Sequence, residues 1–198
     1  MTEPPPATRR RGKALETALM QAVWEELAEV GYAALTVKDV AARARTSKAV
    51  LYRRWPSRAE LVFAAIVHGV PTADDLPDTG TLRSDTVQLL RQIAGRFAAV
   101  DTDVLWGLLA ESARDPELLG LIRSELLSDV HRGPTATLVA RAVARGEVDP
   151  ARLTERRIAL PLDLLRNEIL VRGSITPEAI AEIVDEVFLP LVRPAPAD

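Results

Sequence analysis

The sequence predicts an all-α fold, a small three-helix head followed by a larger helical body. Aromatics make up 4% of the 198 residues, Ala and Leu dominate the 47% that are hydrophobic, and β-branched runs are scarce; this composition favours helices. Apolar residues recur at steps of three and four, and strict alternation is hard to find. Cysteine is absent, which removes disulfides, zinc–thiolate sites and thiol nucleophiles together and points to a cytoplasmic address.

Charge divides the chain where the helices do. Residues 1–70 carry 11 Lys and Arg against 7 Asp and Glu, whereas residues 71–198 carry 14 Arg and no Lys against 21 acids. A basic head on an acidic body implies that the head alone meets a polyanion. The N-terminus has a basic cluster without an apolar run behind it, and "LVFAAIVHGV" is far shorter than the roughly 20 residues that span a bilayer. Neither export nor membrane insertion is expected.

Within the head, residues 1–12 read as a flexible basic arm ending at Arg9, Arg10 and Arg11; a solubilising tail and a DNA-tracking arm are equally open readings of that triplet. Leu15, Leu19, Val23, Leu27 and Val30 then form the stripe of a first helix, which Gly31 ends. A second helix starts with Thr36 as N-cap and Asp39 in the N3 position of a capping box, and its apolar stripe is Val37, Val40, Ala41 and Ala44. Ser47 can cap a third helix, "KAVLYRR", stopped at Trp55 and Pro56. Ser57 and Glu60 form another S-x-x-E box and launch a fourth helix toward Pro71.

The body continues as helices after the turn-rich connection "PTADDLPDTG". Stripes at Leu89 or Leu90, Ile93 and Phe97, at Leu105, Leu108 and Leu109, and at Leu118, Ile122, Leu126 and Val130 mark three of them. Gly133-Pro134 is expected to break the chain before the next. A long helix follows from about Pro150 to Arg172, bent or interrupted near Pro161 and closed by Gly173. The last helix takes Thr176 as N-cap and Pro177 at N1.

Short second and third helices separated by a tight turn describe a helix-turn-helix, whose second member lies in a DNA major groove. Leu51 and Trp55 share the face turned to the first two helices, while Lys48 and Tyr52 share another. The helix starts at Thr36, Ser47 and Ser57 offer free amides and partial positive charge to phosphates. Lys48, Arg53, Arg54 and Arg58 add mobile charge, and Ala49 and Val50 offer small apolar groups to thymine methyls.

The stretch "LTVKDVAARARTSKAVLYRRWPSRAELV" resembles the DNA-binding domain of the TetR family of transcriptional regulators, over roughly residues 10–65. The resemblance implies a homodimeric helical regulator with a helix-turn-helix DNA-binding domain at 13–70 and an effector-binding and dimerisation domain at 71–198. It further implies a double-stranded, roughly palindromic operator and a small-molecule effector as partners, with repression as the expected sign of control. Matching positions imply phosphate contact by Thr36, Ser47, Tyr52 and Arg58 and groove contact by Lys48, Ala49 and Val50. One position departs from the pattern: the turn carries Arg45 where the family has Gly. If that residue is left-handed, it costs roughly 1 kcal/mol, and together with Thr46 it joins the expected DNA-binding set.

Other features of the body carry weaker readings. Phe97, Trp106, His131 and Asn167 are candidate effector-pocket residues, against the plainer alternative of core and surface. Arg91, Glu111 and Arg166 are candidates to orient an effector. Leu162, Leu165, Ile169, Ile180, Val184, Val187 and Phe188 are expected to pair the last two helices with those of a second subunit, against the alternative that they close the monomer's core. His68 and His131 lie in no ligand-spacing motif, so no metal is expected, and no cofactor either. Without a nucleophile motif or Gly-rich phosphate loop the chain is not expected to be an enzyme. A ligand-independent DNA-binding protein and, more remotely, a helical enzyme using the histidines and body acids are the competing functions.

Overall fold

The structure, a computed structural model, describes residues 7–69, 71, 75–98, 103–127 and 129–194, with side chains outside the description at 7–13, 125–127 and 129–132. The described residues form helices and their connections, without a strand. They divide into two compact units. One unit holds the chain as far as His68 together with Asp103–Leu118; the other holds Gly69–Thr102 and the chain from Leu119 onward.

In the first unit, α1 (Ala7–Ala34) begins early enough to place Arg9, Arg10 and Arg11 in its first turns, where a flexible arm was expected. Gly31, at φ 74° and ψ 172°, kinks it, and the chain continues helically for a few residues more. Leu19, Val23 and Leu27 face inward, but Leu15 and Val30 are exposed, so the buried stripe is shorter than its sequence pattern. α2 (Val37–Arg43), α3 (Lys48–Tyr52) and α4 (Arg58–His68) follow. Val40, Leu51, Leu61, Val62 and Ala65 are fully buried with the α1 residues, each large aliphatic side chain contributing about 2 kcal/mol. The indole N–H of Trp24 donates to the Ala65 carbonyl at 3.3 Å, fixing α1 against α4.

The helix α6 (Asp103–Ser112) belongs to this same unit, with Val104 and Leu108 buried. It packs on α1 and α4. No local signal announces this, because the packing joins residues far apart in the chain.

The second unit is built from α5 (Leu82–Phe97), most of α7 (Pro116–Leu127), α8 (Asp129–Ala144), α9 (Glu155–Arg172), α10 (Pro177–Glu182), a π-helical turn (Ile183–Phe188) and α11 (Leu189–Val192). Its core holds Leu82, Leu89, Leu90, Leu138, Leu165, Val184 and Phe188. Thr81 caps α5 by accepting from the Ser84 amide. Asp85, fully buried, accepts from the Thr79 amide at 2.6 Å and hydroxyl at 2.7 Å, with Arg145 at 3.4 Å. Glu147 in turn accepts from the Leu82 amide at 2.8 Å and from Arg145 at 2.6 Å. Arg83 reaches Asp185 through two hydrogen bonds of 2.7 Å each, tying α5 to the π-helical turn.

Two expectations for this unit are corrected. Gly133-Pro134 does not break the chain: α8 runs through both residues. Proline there removes a helical hydrogen bond, and the burial of Leu138, Val139 and Ala142 further along α8 offsets that loss. The helix drawn from Pro150 starts at Glu155, capped by Thr154, after a 3-10 turn at Pro150–Arg152; it passes through buried Pro161 without ending. Of the seven residues expected to meet a second subunit, Leu162, Leu165, Ile169, Ile180, Val184 and Phe188 are buried within the single chain, and Val187 alone is exposed. An amphipathic helix turns its strongest apolar stripe to its own core first.

Candidate nucleic-acid interface

The helix-turn-helix is assembled from short-range capping and one buried anchor. Thr36 accepts from the Asp39 amide at 3.2 Å and donates its hydroxyl to the Asp39 carboxylate at 2.5 Å, opening α2. Ser57 does the same with Glu60, both bonds at 3.1 Å, to open α4. Ser47 stands in the N-cap position of α3 with extended backbone, yet its side chain makes no capping bond. Leu51 anchors α3 in the core, fully buried, while Trp55 is half-buried beneath the Arg54 guanidinium at 5.1 Å.

Among the described side chains, the cations of the head fall into two groups. Arg43 is held by Glu25, Glu26 and Glu29, which binds α2 to α1. Arg54 pairs with Glu16 at 3.1 Å. Arg58 donates to the carbonyls of Tyr32 and Ala33 at 3.3 Å each and to Glu111 at 3.0 Å, and its guanidinium lies 4.4 Å over the Tyr32 ring. By contrast the side chains of Lys38, Arg45, Lys48 and Arg53 are exposed and carry no hydrogen bond or ion pair among the described residues. These four belong to α2, the turn and α3. The acids of the head thus neutralise the structural arginines and leave the helix-turn-helix positive.

This division revises the sequence reading of individual side chains. Arg54 and Arg58, expected as mobile charge, are occupied within the protein. The Thr36 hydroxyl is spent on Asp39, whereas the Ser47 hydroxyl is open. Tyr52 is 49% exposed with its hydroxyl unpartnered among the described residues, Ala49 is exposed and Val50 half-buried. Thr46 donates its amide to Ala41 at 2.9 Å and so belongs to the turn itself. Lys38 was not singled out from sequence; its place next to the α2 N-terminus was the available signal.

Arg58 leads to a cluster that sequence reading did not assemble. The Tyr32 hydroxyl donates to Glu111 at 2.5 Å, and the same carboxylate oxygen accepts from Arg58. Burial pushes the Glu111 carboxyl up, but the Tyr32 hydroxyl and the Arg58 guanidinium outweigh it and hold the group below its ordinary value. Burial and then Glu111 push the Tyr32 phenol up. The cluster joins α1, α4 and α6 through one carboxylate.

The head is similar over residues 19–65 to the model of bacterial regulatory proteins of the tetR family, and residues 76–187 match the tetracyclin repressor-like C-terminal domain. An uncharacterized HTH-type transcriptional regulator of Mycobacterium tuberculosis is 35% identical over 190 residues, 96% of this chain and 91% of its own. The chain belongs to the TetR family. It is a helix-turn-helix transcriptional regulator, related also to a DNA-binding transcriptional repressor of Mycobacteroides abscessus, 32% identical over 93% of this chain and 97% of that one. Among solved structures, a TetR family transcription regulator has a TM-score of 0.69 at 24% identity, over 91% of this chain and 99% of its own. The TetR regulator tylp of Streptomyces fradiae has a TM-score of 0.56 at 17% identity over 94% of this chain and 89% of its own, a likeness of fold.

In this TetR family member the residues expected to meet an effector are distributed over both units. Trp106 lies in the first unit, 52% exposed. Asn167 is exposed on α9, Phe97 is half-buried, and the His131 side chain lies outside the described residues. Among the described residues no helix is long and apolar enough to cross a membrane.

Proposed function

We propose that the protein is a cytoplasmic homodimeric repressor that occupies a roughly palindromic operator and leaves it when a small molecule binds the body. The observation that carries the reading is the division of cations among the described side chains: the acid-paired Arg43, Arg54 and Arg58 brace helices, and the unpaired Lys38, Arg45, Lys48 and Arg53 belong to the helix-turn-helix. α3 enters the major groove with Lys48, Ala49 and Val50 toward base edges, while Ser47, Tyr52, Arg45 and Arg53 hold phosphates. Two heads read half-sites about 34 Å apart, one turn of the duplex. The repressor named in Mycobacteroides abscessus supports the sign of control.

Release requires an effector with different affinities for the two head spacings, since equal affinity shifts nothing. α6 is the part of the 71–198 segment that packs with the head, so a ligand that draws on α6 acts on α4 through Glu111 and Arg58. The test is to select an operator from random-sequence duplexes with the wild-type protein, then to screen small molecules for release. Binding to the selected operator that Lys48→Ala leaves unchanged refutes the reading of α3. A protein that no compound releases is a ligand-independent regulator.

A further inference from the structure

The α2 helix ends in a Schellman motif whose pivot is Arg45. Beyond the cap at Ala44, the Arg45 amide donates to the Ala42 carbonyl at 3.1 Å and the Thr46 amide to the Ala41 carbonyl at 2.9 Å. That pair of bonds demands a left-handed residue at the pivot, and Arg45 stands at φ 52°. α8 ends on the same pair, Gly146 to Val143 at 3.0 Å and Glu147 to Ala142 at 2.9 Å, with glycine at φ 77°. α9 ends with Gly173 at φ 80°. Among the described residues Arg45 is the one non-glycine residue at positive φ.

A side chain in the left-handed region disfavours folding relative to glycine. Among the described residues no side-chain contact compensates for it here. The Arg45 side chain is exposed and makes no hydrogen bond or ion pair with described residues, unlike that of Arg43 only two positions earlier, which has three carboxylate partners. The strain is local, uncompensated, and sits two residues before the N-cap of the reading helix.

We infer that Arg45 is a DNA-contact residue held in a strained conformation: its guanidinium grips an operator phosphate beside the entry to α3, and the head gives up folding stability for that contact. The inference rests on the DNA-binding reading of α2 and α3. A planar guanidinium meets two phosphate oxygens at once. The contact carries no sequence information, so it raises affinity for every site and steepens the salt dependence.

The experiment compares wild type with Arg45→Gly and Arg45→Ala, by urea unfolding and by binding to the operator selected by the wild type at graded NaCl. Arg45→Gly relieves the strain and removes the charge. It is expected to raise the folding equilibrium constant about two- to five-fold. Its operator affinity is expected to fall, with the salt slope shallower by about one per subunit. Arg45→Ala keeps the strain, so it should lose the same salt slope with no gain in stability. A wild type that binds while both variants keep its affinity and slope overturns the inference alone, as does an Arg45→Gly variant no more stable than Arg45→Ala. A wild type with no salt-dependent binding to any duplex overturns the DNA-binding reading, and this inference with it.

Discussion

Gly107 on α6 faces the ring of Tyr32 so closely that a Cβ at position 107 would lie 2.4 Å from Cδ1 and 2.7 Å from Cε1. The ring has nowhere to go. It is 6% exposed, its hydroxyl is bonded to Glu111 and its face is covered by Arg58. At an unconstrained helix position, Gly→Ala stabilises by about 1 kcal/mol. Here Gly107→Ala should instead destabilise the unit by roughly 1–3 kcal/mol through overpacking. Urea unfolding checks the sign, and a more stable variant would mean that α6 does not rest on Tyr32.

Glu111 makes the same junction sensitive to acid. Its carboxyl is held below the ordinary value in the folded protein, so its contribution is complete above the unfolded-state value of about 4.3 and disappears as pH falls through the folded value. Arg58 and Glu111 are each about one-third exposed at 32% and 37%, and solvent screening limits the pair to about 0.5–1 kcal/mol. Glu111→Gln should cost that much at neutral pH and nothing relative to wild type in strong acid. Unfolding free energies measured from pH 7 downward should therefore converge.

Thr36 and Ser47 separate stability from binding. Both are N-caps by position, but only Thr36 accepts a bond from its own helix, and Ser47 keeps its hydroxyl open. Thr36→Ala is expected to cost about 1 kcal/mol of stability, the usual worth of a cap. Ser47→Ala should leave the unfolding midpoint nearly unchanged and weaken operator binding. Denaturation and operator titration on the two variants check the pair, and equal losses of stability would contradict the geometry at Ser47.

What could be read in the sequence was whatever depends on neighbours along the chain. The capping boxes at Thr36 and Ser57, the anchor at Leu51 and the N-cap at Thr176 all follow from residues within four positions of one another. The departure at Arg45 was visible as a residue type in a turn, and its φ follows from the Schellman bonds. Partners distant in sequence were not legible. Arg58 looks like a free cation until Glu111, 53 residues away, is folded against it. The π-helical turn at Ile183–Phe188 carries no glycine or proline to announce it, and an apolar stripe alone does not say whether it meets its own chain or another.

That last ambiguity bears on the dimer. With Leu162, Leu165, Ile169 and Phe188 already buried in one chain, the proposed dimer would draw on what the two helices turn outward. On α9 that is the row Leu160, Leu164 and Val171, the first two half-buried and the last 66% exposed; beyond α10 it is Val187 at 37%. Spacings of four and seven place the α9 residues on one face. Val171→Glu combined with Val187→Glu should leave the monomer folded, because both side chains already face water. It should shift sedimentation from dimer to monomer and lower operator affinity, since one short reading helix alone specifies little. Phe188→Ala should behave differently, losing about 3–5 kcal/mol of stability. A double variant that stays dimeric would move the interface off these two faces.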